Sequence, residues 1–114
     1  MARQLLADLY RCDSAILDDE AALTKAAHEA ISALGAVVVE ECCHKFDPIG
    51  ISYIAVISTS HFSIHTWPEY GYAAVDAFSC TDEMPDKIIS QLKDAFGSDD
   101  ARVEIFERQI GNEG

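Results

Sequence analysis

Along residues 4–10 apolar and polar positions alternate. Leu5, Ala7 and Leu9 fall on one side and Leu6, Asp8 and Tyr10 on the other, a period of two that predicts a β-strand. Asp13-Ser14 reads as a loop. Over residues 18–34 the period lengthens: Leu23, Ala27, Ala30, Ile31 and Leu34 form one helical stripe. Asp18, Asp19 and Glu20 stand where a helix N-terminus favours negative charge, and Gly35 stands where a C-terminal cap is expected. Residues 36–46 and 51–58 predict two more strands around the turn Asp47-Pro48-Ile49-Gly50. The first opens with Val37-Val38-Val39, and Tyr53-Ile54-Ala55-Val56-Ile57 in the second is apolar on both faces. Pro85 suits the first position of a second helix, with Ile88, Ile89, Leu92 and Phe96 as its stripe and Gly97 as its end. Residues 102–107 alternate again as a last strand, Val103 and Ile105 against Glu104 and Phe106.

Between these elements, residues 58–72 crowd hydroxyls, two histidines, four aromatics and a carboxylate into one segment. They read as a strand, a turn at residues 68–71 and a second strand running to Cys80. Pro68 fixes its own φ and pushes Trp67 toward extended geometry. The order strand, helix, run of strands, helix, strand predicts an α+β two-layer sandwich, a mainly antiparallel sheet with two helices on one face. Two helices cover one face only, yet several strands are apolar on both. The simplest cover for the second face is another copy of the chain, giving a homodimer joined through its sheets.

Composition narrows the function classes. The 114 residues suffice for one domain with a core, and an apolar fraction of 49% argues against disorder. No stretch is long and apolar enough to span a bilayer, and Asp8 interrupts the short apolar start, so a soluble cytoplasmic protein is expected. A net charge of −12 repels nucleic acid and anionic membranes and is compatible with a cationic substrate. Cys12, Cys42, Cys43 and Cys80 are expected as free thiols, and Cys42-Cys43-His44 lacks the second pair that a zinc site needs. His61 and His65 lie four apart, a metal-pair spacing in a helix but about 13 Å in a strand, so no metal is expected.

Ser60-His61, Ile64-His65-Thr66-Trp67-Pro68-Glu69-Tyr70-Gly71-Tyr72-Ala73-Ala74, Asp76 and Cys80 closely resemble the self-processing core of the small prokaryotic S-adenosylmethionine decarboxylases, pyruvoyl enzymes of polyamine synthesis. The resemblance implies that Ser60 attacks the carbonyl of Thr59, and that elimination then cuts the chain into 1–59 and 60–114, leaving a covalent pyruvoyl cofactor made from Ser60. It implies His65 as the base that takes the α-proton, Ser52 as a serine that assists processing by hydrogen bonding, and Cys80 as the donor that protonates the product carbon. Phe46, Trp67, Glu69 and Tyr72 map to substrate contacts: aromatics for adenine or a sulfonium, a carboxylate for ribose hydroxyls. The family also pairs two sheets into a dimer with active sites near the interface.

Each of these residues has a plainer reading as well. Ser60 would otherwise be a strand-end serine, Cys80 a small buried hydrophobe, Phe46, Trp67 and Tyr72 core aromatics, and Glu69 a solvated turn charge. Strict alternation puts Ser60 and His65 on opposite faces, so a kink or turn between them is required if they are to meet. Thr59 stands where the family usually has glutamate; the attacked group is backbone, but a β-branched residue alters local strain. The expected activity is decarboxylation of S-adenosylmethionine. The alternatives are a decarboxylase of a cationic amino acid, ornithine or arginine, and an uncleaved, non-catalytic partner subunit.

Overall fold

A computed structural model describes residues 2–80 and 86–111. Six strands form one sheet: β1 (Ala2–Tyr10), β2 (Val38–Lys45), β3 (Ile51–Ile57), β4 (Ser60–Trp67), β5 (Tyr72–Ser79) and β6 (Asp100–Arg108), in the order β2-β3-β4-β5-β1-β6 with every neighbouring pair antiparallel. Three helices accompany it: a single turn, α1 (Ser14–Leu17), then α2 (Glu20–Ala33) and α3 (Asp86–Phe96). The expected α+β two-layer architecture is present.

The helix expected over residues 18–34 is α2, which starts two residues later, and residues 13–14 are not a plain loop. Asp13 caps α1, accepting from the backbone N–H groups of Ala15 and Ile16. Asp19 starts α2 afresh by accepting from the N–H of Ala22. Two carboxylates, each satisfying the unpaired N–H groups of a first turn, define two helix starts, the first lying ahead of the expected helix. The second strand is shorter than residues 36–46, and its register slips between Val38 and Glu40. The residues flanking Val38 in the valine run, Val37 and Val39, are exposed. Gly97 ends α3 with φ +67, while the expected helix-opening Pro85 lies outside the described residues.

The register assigns the two faces. Leu5, Ala7 and Leu9 stand opposite Ala77, Val75 and Ala73; Val75 and Ala77 stand opposite Ile64 and Phe62, and these opposite Tyr53 and Ala55. All are buried, together with Leu17, Leu23, Ala27, Ala30, Ile31, Ile88, Leu92 and Phe96 from the helices. That is the core. The alternate positions point away from the helices, and there Leu6, Ile54, Val56 and Phe106 are 41–51% exposed. The doubly apolar strands therefore bury one face and leave the other uncovered within a single chain.

Thr66 ties the layers together. Its buried hydroxyl donates to the carbonyl of Leu17 at the end of α1 (2.9 Å) and accepts from the N–H of Ile51 at the start of β3 (2.9 Å). Valine has the same shape but neither function, and would leave both backbone groups unpaired in the interior. Thr66→Val should cost about 2–4 kcal/mol, from one to two orphaned buried groups at ~1–3 kcal/mol each. Urea unfolding should show it as a lower midpoint with an unchanged m-value.

Candidate active site

The strand β4 carries the site, and it runs unbroken from Ser60 to Trp67. The turn that alternation demands is not between Ser60 and His65 but before them. Ile57 pairs with Ser60, so Ser58 and Thr59 make a two-residue hairpin loop joining β3 to β4. Favoured loops of this length hold one or both residues at positive φ. Here neither does; the positive φ, +153°, falls on Ser60, the first residue of the strand. A residue with a side chain in that region carries strain of about 1–3 kcal/mol.

Two groups of candidate residues form at opposite ends of β4. At the hairpin end, Ser60 pairs with Ser79, the last residue of β5, and Ser79 donates from Oγ to Thr59 Oγ1 at 3.1 Å. Cys80 follows directly and is exposed. At the far end His65 pairs with Ser52 across β3, and Ser52 Oγ and His65 Nδ1 share a hydrogen bond of 2.7 Å. There Phe46, Ile49, Gly50, Ser52, His65, Thr66, Trp67 and Glu69 enclose a cavity of about 320 Å³. Thus Phe46, Ser52, His65, Trp67 and Glu69 come together. Ser60, Thr59 and Cys80 also come together, but elsewhere. Five residues of strand at ~3.4 Å each place Ser60 and His65 about 17 Å apart, and on opposite faces. Tyr72 joins the second group indirectly: it pairs with Trp67 in the ladder, its ring lies 5.3 Å from that of Trp67, and its hydroxyl donates to Asp8. Burial, then that bond, push the phenol up to about 12.

The cavity stands on the corner made by the expected turn at residues 47–50. Gly50 has φ +109, and a Cβ there would sit 3.4 Å from the carbonyl of Thr66, so the chain turns into β3 where only glycine is at ease. The Gly50 N–H donates to Asp18 Oδ1 at 2.8 Å, and Lys45 reaches the same oxygen at 3.0 Å. Asp18 therefore clamps both ends of the Phe46 loop. Its position beside the helix start suggested only a dipole role; the partners are 27 and 32 positions away, beyond any local pattern. Asp8, a carboxylate within a strand, was the visible sign of the Tyr72 contact. Among the described residues no cluster of three or more metal-ligating side chains occurs.

A one-sheet α+β protein with a strained serine at a hairpin tip and an aromatic-walled cavity on the same strand has a solved counterpart. It is similar to the crystal structure of the adenosylmethionine decarboxylase from Aquifex aeolicus, with a TM-score of 0.86 and 27% identity, over 100% of this chain and 95% of that one. This is the fold of an adenosylmethionine decarboxylase, the class to which the central motif points. The S-adenosylmethionine decarboxylase family pattern matches residues 3–109, and the chain belongs to that family. It is 45% identical over 112 residues to the S-adenosylmethionine decarboxylase proenzyme of Thermosipho melanesiensis, covering 97% of this chain and 85% of that one. It is 42% identical to the proenzyme of Acidithiobacillus ferrooxidans, covering 97% and 83%.

Asp18 generates a pH prediction. The Gly50 N–H, then Lys45, hold its carboxyl below the ordinary value. Its contribution is therefore fully present above the unfolded value near ~4 and is lost as pH falls through the lower folded value. Asp18→Asn should destabilise the chain at neutral pH and make its denaturation midpoint flatter than the parent's below about pH 4. Parallel acid-side slopes for parent and variant would show the clamp to be idle.

Proposed function

We propose that this chain is a proenzyme that cuts itself between Thr59 and Ser60, converts Ser60 into a pyruvoyl group, and decarboxylates S-adenosylmethionine as a homodimer of cleaved chains. The observation that carries this reading is the division of the site. Ser60 and Cys80 stand at one end of β4, and His65, Ser52, Phe46, Trp67 and Glu69 at the other, on an uncovered face. Two copies stacked through that face in opposite directions bring the hairpin end of each toward the cavity of its partner. The exposed Leu6, Ile54, Val56 and Phe106 supply the apolar area for such a contact.

The residues fit the chemistry. Ser60 Oγ attacks the Thr59 carbonyl carbon, the C–N bond breaks, and the hydroxyl proton passes to the departing nitrogen, so an amide becomes an ester with a free amine. The strained Ser60 backbone favours leaving the starting conformation. With Nδ1–H donating to Ser52 Oγ, His65 presents a free lone pair on Nε2. That nitrogen, reaching from the partner subunit, takes the Ser60 α-proton as the Cβ–O bond breaks and Thr59 departs as a carboxylate. Water then hydrolyses the dehydroalanine, releasing ammonia. The pyruvoyl group supplies an electron sink for the pair left when carbon dioxide departs.

The remaining side chains bind and protonate. Phe46 and Trp67, 46% and 41% exposed at the cavity, offer faces to adenine or a sulfonium. Glu69 accepts from ribose hydroxyls, and Cys80 delivers a proton to the product carbon. The surface charge of −12 draws in the cationic substrate.

Carbon dioxide release should occur from S-adenosylmethionine and not from ornithine or arginine; release from an amino acid alone would overturn the substrate assignment. Ser60→Ala should stay a single chain, and the second fragment of the parent should resist Edman degradation.

Sharing of the site between subunits is tested by mixing defects. Ser60→Ala and His65→Ala should each remain uncleaved alone. Co-expressed, they should yield cleaved His65→Ala chains, because one mixed site holds an intact Ser60 and an intact His65. Cleavage absent from the mixture while both variants dimerise would place the whole site in one chain.

A further inference from the structure

The proposed reaction leaves unused a buried hydroxyl at the point of cleavage. Ser79 is fully buried, ends β5, and stands opposite Ser60 in the ladder. A hydroxyl in the interior is costly unless bonded. This one donates to Oγ1 of Thr59, a loop residue outside the β3 and β4 ladder pairs, whose carbonyl is the one attacked. Only one rotatable bond separates Oγ1 of a threonine from its Cα, and β-branching stiffens it. Fixing the hydroxyl therefore fixes the backbone that bears the carbonyl. Glutamate, usual here in the family, holds its oxygens two torsions further away and would make a looser tether.

We propose that Ser79 is a positioning residue for self-cleavage: through Thr59 Oγ1 it holds the hairpin in the strained form from which Ser60 attacks. This rests on the self-cleaving reading above. The tether stiffens the carbonyl side of the bond while the +153° φ of Ser60 lies on the amine side, so the deformation is confined to the peptide between them. Without the tether the loop relaxes, and the Ser60 hydroxyl spends less time in line with the carbonyl carbon.

The test follows conversion of newly synthesised full-length chain into its two fragments by mass spectrometry. Ser79→Ala should slow conversion about five- to tenfold, the scale of one neutral hydrogen bond. Ser79→Thr, which keeps the hydroxyl, should restore the rate to within about twofold. Thr59→Val removes the other partner from the loop side and should match Ser79→Ala even where the buried substitution disturbs folding. The double variant should be slowed by less than the product of the single effects, because the Ser79–Thr59 bond is lost in all three. Parent-like cleavage in Ser79→Ala or in Thr59→Val overturns the proposal, as does a double variant slowed by the product of the single effects. Failure of the parent chain to cleave at all would instead sink the self-cleaving reading on which it rests.

Discussion

A β-strand turns successive side chains to opposite faces, and no residue on it can reach the far end of the same strand. That constraint governs this protein because its chemistry-bearing residues lie on one unbroken strand, β4. Ser60 faces the helical layer at one end, and His65 faces away from it near the other. The hairpin before Ser60, the aromatic cavity beyond His65 and the uncovered apolar face all take their meaning from that separation. Within a single chain the two groups of residues stay apart.

What the chain does assemble is rigid. The cavity rests on a corner where α1, the Phe46 loop and the starts of β3 and the end of β4 are joined by Thr66, Gly50, Asp18 and Lys45. At the opposite end of the β4–β5 connection, Gly71 takes a left-handed φ of +60, and a Cβ there would meet the Cys12 carbonyl at 3.2 Å. The Cys12 N–H donates to the Gly71 carbonyl at 2.9 Å. Trp67 and Glu69 are thus held between two fixed points, as a binding surface requires.

The fold was largely legible because alternation and helical periodicity are strong over residues 4–10, 51–57 and 23–34. The places it misled are places where local pattern competes with a single side chain. The single turn α1, ahead of the helical stripe, is unmarked by pattern, since a cap is a hydrogen bond and leaves no periodic trace. Ser58-Thr59-Ser60 is a polar interruption between apolar runs, but it lacks the glycine or asparagine that marks a two-residue turn, so the hairpin was not read there. The site residues were legible through resemblance rather than pattern. Their division into two distant groups followed only from the register. Asp18 and Ser79 were silent because their partners, Gly50, Lys45 and Thr59, are remote in the chain.

The strand order would have a consequence for a molecule cut at the Thr59-Ser60 loop. The first piece would own β1, β2 and β3, and the second β4, β5 and β6, yet along the sheet they run β2-β3, then β4-β5, then β1, then β6. Of the five ladders, three (β3 with β4, β5 with β1, β1 with β6) would join one piece to the other. The pieces are laced like the fingers of two hands. Neither can be drawn out without unzipping backbone hydrogen bonds on more than one flank, so loss of the covalent link leaves the architecture standing. Such a scission would change instead the molecularity of unfolding: a chain that comes apart alone would become a pair whose cohesion depends on how much of each is present.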